Sequence, residues 1–271
     1  MGRKSEGFTL IELLVVISII SLLMAILVPT LSKVRKQAKE VVCQAQLHQW
    51  SVCFSAYAND YDGRFSAGGC SSGADGQRIM GEHWMQVLLP YYREPDLRCC
   101  PEAPKKTATV DNGLAGNTFE AWGVFDINAG AAPVWGYDGD YGSYGISRWI
   151  YDIRSQGQPG GWGGAEKYWR HCNVQNAHQI PLLADCCWVG TWPDHTDQPP
   201  AYEGQRIGEG GFICDYCIPR HFDEINVIFV DFSSRKVGLK ELWRLKWHRY
   251  YDVNANPPVW PEWMKRLKDY D

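Results

Sequence analysis

From position 8 to 28 the chain reads FTLIELLVVISIISLLMAILV, 21 residues that are apolar on every side and carry one charge, Glu12. A helix of that length crosses the hydrocarbon core of a bilayer. Fifteen of these residues are Phe, Leu, Ile or Val. Their insertion contributes roughly −7 kcal/mol, against at most a few kcal/mol for a carboxylate near one end. Insertion wins, and the pattern predicts a transmembrane helix over 8–28. A cleaved secretory signal would have a shorter apolar stretch closed by a small-x-small site. No such site follows closely before Pro29 and the polar SKVRKQAKE run.

Beyond Pro29 the helical period continues. Leu31, Val34, Ala38, Val41 and Ala45 form one face, and Cys43, Leu47, Trp50, Phe54 and Tyr57 form a bulkier one. Their 3-4 spacing is that of one side of a helix. The bulk of the second stripe predicts that this half packs against the sheet of a head. The turn formers Asn59-Asp60-Tyr61-Asp62-Gly63 end the helix. The expected organisation is a leader at 1–7, a transmembrane helix at 8–28, its amphipathic continuation at 29–60 and a globular head at 61–271.

Within the head, 83–92 (HWMQVLLPYY) predicts a short helix interrupted at Pro90. The run 180–184 (IPLLA) predicts a short buried strand ending at Asp185. The run 226–231 (NVIFVD) predicts a strand, with a turn at Ser233-Ser234-Arg235-Lys236 and a return strand from Val237. Residues 239–247 suit helix or strand, and a peripheral helical segment follows Trp260-Pro261. Between about 107 and 178 there is little periodicity, and Gly, Trp, Tyr and Asn dominate. The aromatics argue against disorder, so this stretch is expected to be a large, ordered, irregular insertion. The fold class is α+β: a long N-terminal helix packed by its lower half on an antiparallel sheet.

Composition narrows the function. The 27 Lys and Arg against 31 Asp and Glu give −4, without the clustered basic excess of a nucleic-acid binder. Thirteen Trp and 14 Tyr serve either core packing or a surface that contacts sugars and other polymers. Ten cysteines, at 43, 53, 70, 99, 100, 172, 186, 187, 214 and 217, predict partial disulfide pairing in an oxidising compartment. Cys99-Cys100 and Cys186-Cys187 would each bridge to distant partners, because neighbours in sequence fit disulfide geometry poorly.

Cys214-x-x-Cys217 with His221 offers zinc-ligand types at short spacing. A fourth ligand would come from His171, Cys172 or Cys187. Disulfides and free thiols are the alternatives for the same residues. Asp60 and Asp62 lack the further acids of a calcium loop and are expected to cap the turn. No nucleophile elbow accompanies His221 and Asp231, and there is no phosphate-cradling glycine loop. Asp231 is expected to cap a turn, and neither enzymatic activity nor a cofactor is expected.

Gly7-Phe8-Thr9-Leu10-Ile11-Glu12, followed by Leu13-Leu14-Val15-Val16, resembles the signature of type IV prepilins and type II secretion pseudopilins. The resemblance implies cleavage by a prepilin peptidase between Gly7 and Phe8, N-methylation of Phe8 and an assembly role for Glu12, the fifth residue of the mature chain. The leader carries Arg3, Lys4 and Glu6, so its removal changes the net charge from −4 to −5. Lys33, Arg35, Lys36 and Lys39 outnumber the leader's two cations, and by the positive-inside rule alone would face the cytoplasm. The resemblance places the leader there instead, where the peptidase meets Gly7. It implies a single-pass inner-membrane protein before assembly, with its head on the periplasmic or extracellular side. Other pilin or pseudopilin subunits would be its partners through the helix.

The head resembles a large bacterial subgroup of pilin-like proteins. The shared features are Cys43, Tyr57-Ala58-Asn59-Asp60, Cys100-Pro101, and Arg220-His221 with Asn226-Val227-Ile228-Phe229-Val230-Asp231. This chain has Phe232-Ser233 where the subgroup has Gly-His. Because major pseudopilins bind calcium, the resemblance also makes Asp138 and Asp140 candidate calcium ligands. The reading is a minor structural subunit of a type II secretion pseudopilus or type IV pilus-like filament. The alternative is a membrane-tethered module whose aromatic insertion binds extracellular polysaccharide.

Overall fold

The computed structural model describes residues 9–68, 71–72, 78–79, 83–104, 115–124, 139–154, 162–205 and 211–270. A single helix, α1 (Leu10–Asp60), covers the segments expected to be transmembrane and amphipathic from Leu10 on and passes through Pro29. Thr9 caps it, with Glu12 closing a reciprocal capping box. At the other end Asp62 and Gly63 adopt left-handed backbone, φ 53° and 77°. A Cβ on Gly63 would lie 2.3 Å from the His171 ring, so the turn requires glycine twice over.

The second stripe of α1 is buried as its bulk predicts: Cys43, Leu47 and Trp50 are 0% exposed, with Phe54 and Tyr57 nearly so. This half of α1 packs on strands of a five-stranded sheet. The strands are β1 (Tyr144–Ser147), β2 (Pro181–Asp185), β3 (Gly190–Thr191), β4 (Glu224–Phe229) and β5 (Ser234–Gly238). Their spatial order is β3-β1-β2-β4-β5. The pairings are antiparallel except β1 with β3, which is parallel. The sheet is therefore mixed at one edge, where antiparallel pairing throughout was expected. β2 is buried along its whole length and β4 from its second residue. That matches apolar runs without alternation, the mark of strands covered on both faces.

The stretch expected to be an irregular insertion supplies β1 and part of the core. Trp122, Tyr144, Trp149, Tyr151 and Tyr168 are all essentially inaccessible. Its glycines and aromatics concealed a four-residue strand too short to show a period. The hairpin turn also comes earlier than expected. Asp231 accepts hydrogen bonds from Ser233 N and Oγ at 3.0 and 2.6 Å, which turns the chain before β5 begins at Ser234. Phe232 sits at φ 65°, a left-handed position that glycine adopts without strain.

The helix expected over 83–92 is present as α2 (Trp84–Val87) followed by a 3-10 turn that takes in Pro90. Residues Leu239–Arg244 form a 3-10 helix. The C-terminal segment is less peripheral than expected. Met264 is 0% exposed, and the backbone carbonyl of Leu267 accepts from buried Lys240 Nζ at 3.1 Å.

Trp50 fixes helix to head. Its ring meets Trp84 and Tyr92 edge-on at 5.1 and 4.7 Å, and its Nε1 donates to Leu97 O at 2.8 Å. Trp50→Ala is expected to destabilise the head by about 3–5 kcal/mol. Denaturant unfolding of the detergent-solubilised chain measures this; a loss below about 1 kcal/mol would show that the helix is not an integral part of the core.

Candidate functional site

Two places concentrate chemistry. The first is the N-terminal half of α1. Every apolar side chain from Leu10 to Val28 is solvent-exposed in the single chain, as are Leu31, Val34 and Val41 of the first stripe. At its start Glu12 Oε2 accepts from Thr9 N at 2.8 Å and from Thr9 Oγ1 at 2.6 Å. Gly7 and Phe8 lie outside the described residues. The result is a long apolar cylinder with one carboxylate in its first turn.

The second place is internal. Cys43 from α1, Cys100 from the Cys-Pro loop, Asp185 from the end of β2 and His221 from the loop before β4 converge, their ligand atoms all within 4.8 Å of one another. All four are at most 1% exposed. Cys100 Sγ lies 3.3 Å from His221 Nε2, and Asp185 Oδ2 lies 3.3 Å from that same nitrogen. Cys43 Sγ is 3.7 and 3.8 Å from the two Asp185 oxygens. Tyr144 OH and Asn226 Nδ2 each donate to Cys43 Sγ at 3.3 Å. Asp185 also accepts from Arg220 Nη1 at 3.1 Å and Asn226 N at 2.9 Å.

The electrostatics follow from that packing. Burial pushes the Asp185 carboxyl up, but His221, Arg220 and the Asn226 amide outweigh it and hold it at about 2. Burial alone would lower His221, yet Asp185 and Cys100 raise it to about 10. Burial likewise raises Cys43. For Cys100 burial acts upward too, and hydrogen bonds with Cys43 and His221 bring it down to about 6. Within the cluster the Cys100 sulfur and the Asp185 carboxylate favour the anionic form and His221 the cationic one, whereas Cys43 favours the neutral thiol.

Residues 2–28 match the family model of the prokaryotic N-terminal methylation motif. Over 46 residues the chain is 52% identical to the type IV wide pilus major component PilA4 of Thermus thermophilus, covering 17% of this chain and 35% of that protein. Over 61 residues it is 36% identical to the ComG operon protein 3 homolog of Bacillus licheniformis, covering 22% of this chain and 63% of that one. The N-terminal segment is of the prepilin type. The chain thus spans about a third and somewhat under two thirds of the curated relatives it matches. No solved structure matches. The prepilin-type segment and the exposed apolar helix coincide, which fits a membrane-anchored protein.

The remaining candidates disperse. His221 joins Cys43, Cys100 and Asp185, so the set Cys214, Cys217 and His221 is not the cluster that forms. Cys214 Sγ faces the Gln198 carbonyl at 3.5 Å instead, and Cys217 is buried among apolar side chains. His221 pairs with Asp185, and Asp231 serves its turn. Asp138 lies outside the described residues. Asp140 is held by Arg98 Nη1 at 3.0 Å and by Gln86, so a cation already faces its carboxylate.

No disulfide links the described cysteines to one another, and Cys70 lies outside the described residues. Several have acceptors of their own: Cys53 meets Tyr91 O and Cys187 meets Asp215 Oδ1, both at 3.3 Å. The buried grouping draws on four separate elements. Its signals in sequence were a cysteine within the buried helical stripe, a Cys-Pro loop, an Arg-His pair and an aspartate closing an apolar strand.

Proposed function

We propose that this chain is a minor structural subunit of a type IV pilus-like filament or type II secretion pseudopilus, processed by prepilin peptidase between Gly7 and Phe8. The observation that carries this reading is the coincidence of the prepilin-type motif over residues 2–28 with an apolar helix that its own head leaves bare. An exposed apolar surface of that extent needs lipid or other helices around it. Lipid covers it before assembly, and the same segments of neighbouring subunits cover it in the filament. The head then projects outside the cytoplasmic membrane. The described aromatics are largely core, which supports a packed structural head rather than a polymer-binding surface.

Cleavage tests the reading directly. Mass spectrometry of the chain from a host with an active prepilin peptidase is expected to find an N-methyl-Phe terminus at Phe8, and the mature protein is expected in sheared filaments. An intact Met1 terminus in that host, or absence from filaments that contain the other subunits, would overturn it.

A further inference from the structure

We propose that Cys43, Cys100, Asp185 and His221 bind one zinc ion that ties α1 to the head. Three of the six ligand-to-ligand separations fit tetrahedral coordination, and the other three lie within 4.8 Å. With bonds of about 2.3 Å to sulfur and about 2.0 Å to nitrogen and oxygen, ligand atoms around zinc lie about 3.3–3.8 Å apart. Here sulfur to nitrogen is 3.3 Å, nitrogen to oxygen 3.3 Å, and sulfur to oxygen 3.7 or 3.8 Å. The donors are two sulfurs, an imidazole and a carboxylate, a set that suits zinc.

The imidazole discriminates between chemistries. In a catalytic relay of cysteine, histidine and aspartate, thiol and acid occupy opposite ring nitrogens. Here Cys100 and Asp185 crowd the same one, Nε2. A single N–H cannot point at both, whereas a lone pair aimed at a cation between them satisfies all three groups. The cluster is also sealed, with Cys100 at 0% exposure, so no substrate reaches the sulfur.

The surrounding groups behave as the outer partners of a metal site. Tyr144 OH and Asn226 Nδ2 both donate to Cys43 Sγ, which orients a thiolate. Arg220 and the Asn226 amide orient the carboxylate. With both thiols deprotonated, two thiolates, one carboxylate, Zn²⁺ and the Arg220 guanidinium sum to zero, so the buried site is neutral. A disulfide between Cys43 and Cys100 would leave His221 and Asp185 without that centre.

A second cluster, Asp194, His195 and His248, lacks this character. Lys167 Nζ lies 3.0 Å from Asp194 Oδ2, so an ammonium stands where a cation would bind.

The test uses the full chain purified in detergent without chelator. Elemental analysis is expected to find one zinc per chain. Chelation under reducing conditions should lower the melting temperature on the order of 10 °C, and added zinc should restore it. Cobalt(II) added to the stripped wild-type protein should give the intense visible bands and sulfur-to-metal charge transfer of tetrahedral thiolate coordination. That readout needs no variant to fold. Cys100→Ser should lower the charge-transfer intensity, since one thiolate of two remains, whereas Cys214→Ser, outside the cluster, should keep it in full. Three results would overturn the proposal: zinc below a tenth per chain after zinc is supplied to reduced protein, cobalt bound without sulfur charge transfer, or peptide mapping that finds Cys43 joined to Cys100 in the protein as isolated.

Discussion

Glu12→Val is expected to leave membrane insertion and cleavage after Gly7 intact while lowering incorporation into filaments at least about tenfold. Removing the carboxylate makes the helix more apolar, so insertion improves. Assembly is different, because an unpaired charge buried among helices costs several kcal/mol. On the proposed reading, the partner that processing would create is the freed amino group of a neighbouring subunit's Phe8. Opposite charges attract far more strongly there than in water, and about 1.4 kcal/mol already makes a tenfold difference.

In the single chain Glu12 has another role, as the capping-box acceptor for Thr9. Losing a cap costs about 0.5–2 kcal/mol, too little to unseat the helix from lipid. Glu12→Gln separates the two roles. Its amide oxygen still accepts from Thr9, but it carries no charge. If charge pairing sets axial register, Glu12→Gln fails to assemble like Glu12→Val; if capping is what matters, Glu12→Gln assembles normally. Quantifying both variants in sheared filaments decides, and wild-type levels of Glu12→Val would end the pairing argument.

The parts of the fold legible in the sequence are those governed by local period and local turn chemistry. The stripe Cys43, Leu47, Trp50, Phe54 and Tyr57 marked the buried side of α1, because bulky residues at 4-3-4-3 spacing align on one side of a helix and need a large surface to cover them. The other stripe, Leu31, Val34 and Val41, has the same spacing but is exposed in the monomer. Periodicity reports a face, not what covers it. β4 was visible as an apolar run. β1 was not, since four residues between glycines and aromatics carry too little pattern.

That Cys43, Cys100, Asp185 and His221 meet in one cluster was not legible, although three of the four were singled out, for a related reason. Cys214-x-x-Cys217 drew His221 into a local zinc reading, because only short spacings can be read from a chain. The ligand types that converge come from positions 43, 100, 185 and 221, brought together by the packing of α1, a loop and the sheet. Asp185 read only as the end of a strand. Its neighbour Cys186 and the loop carbonyls at Asn117 and Thr118 gave no hint that one guanidinium would tie them together.

That guanidinium carries the last expectation. Arg220→Leu should destabilise the head by at least about 4 kcal/mol, a large share of the roughly 5–15 kcal/mol that holds a domain folded. The side chain is wholly buried, as is its partner Asp185. Its Nε donates to Thr118 O at 2.8 Å, and Nη2 to Asn117 O and Cys186 O at 3.1 and 3.3 Å. Nη1 serves Ser143 O and Asp185 Oδ1.

Leucine of similar bulk leaves four carbonyls without that donor, each costing about 1–3 kcal/mol if it finds no other. It also leaves a buried carboxylate with one cation fewer, and breaking such a pair costs about 3–5 kcal/mol. Lysine restores the charge but not the planar fork that reaches several acceptors at once, so Arg220→Lys should fall between wild type and Arg220→Leu. Adding Asp185→Asn to Arg220→Leu removes the stranded charge and should recover part of the loss. Unfolding in denaturant, with a chelator present so that metal does not mask the difference, measures all four proteins. An Arg220→Leu chain within about 1 kcal/mol of wild type would show that the network organises the interior without holding it together.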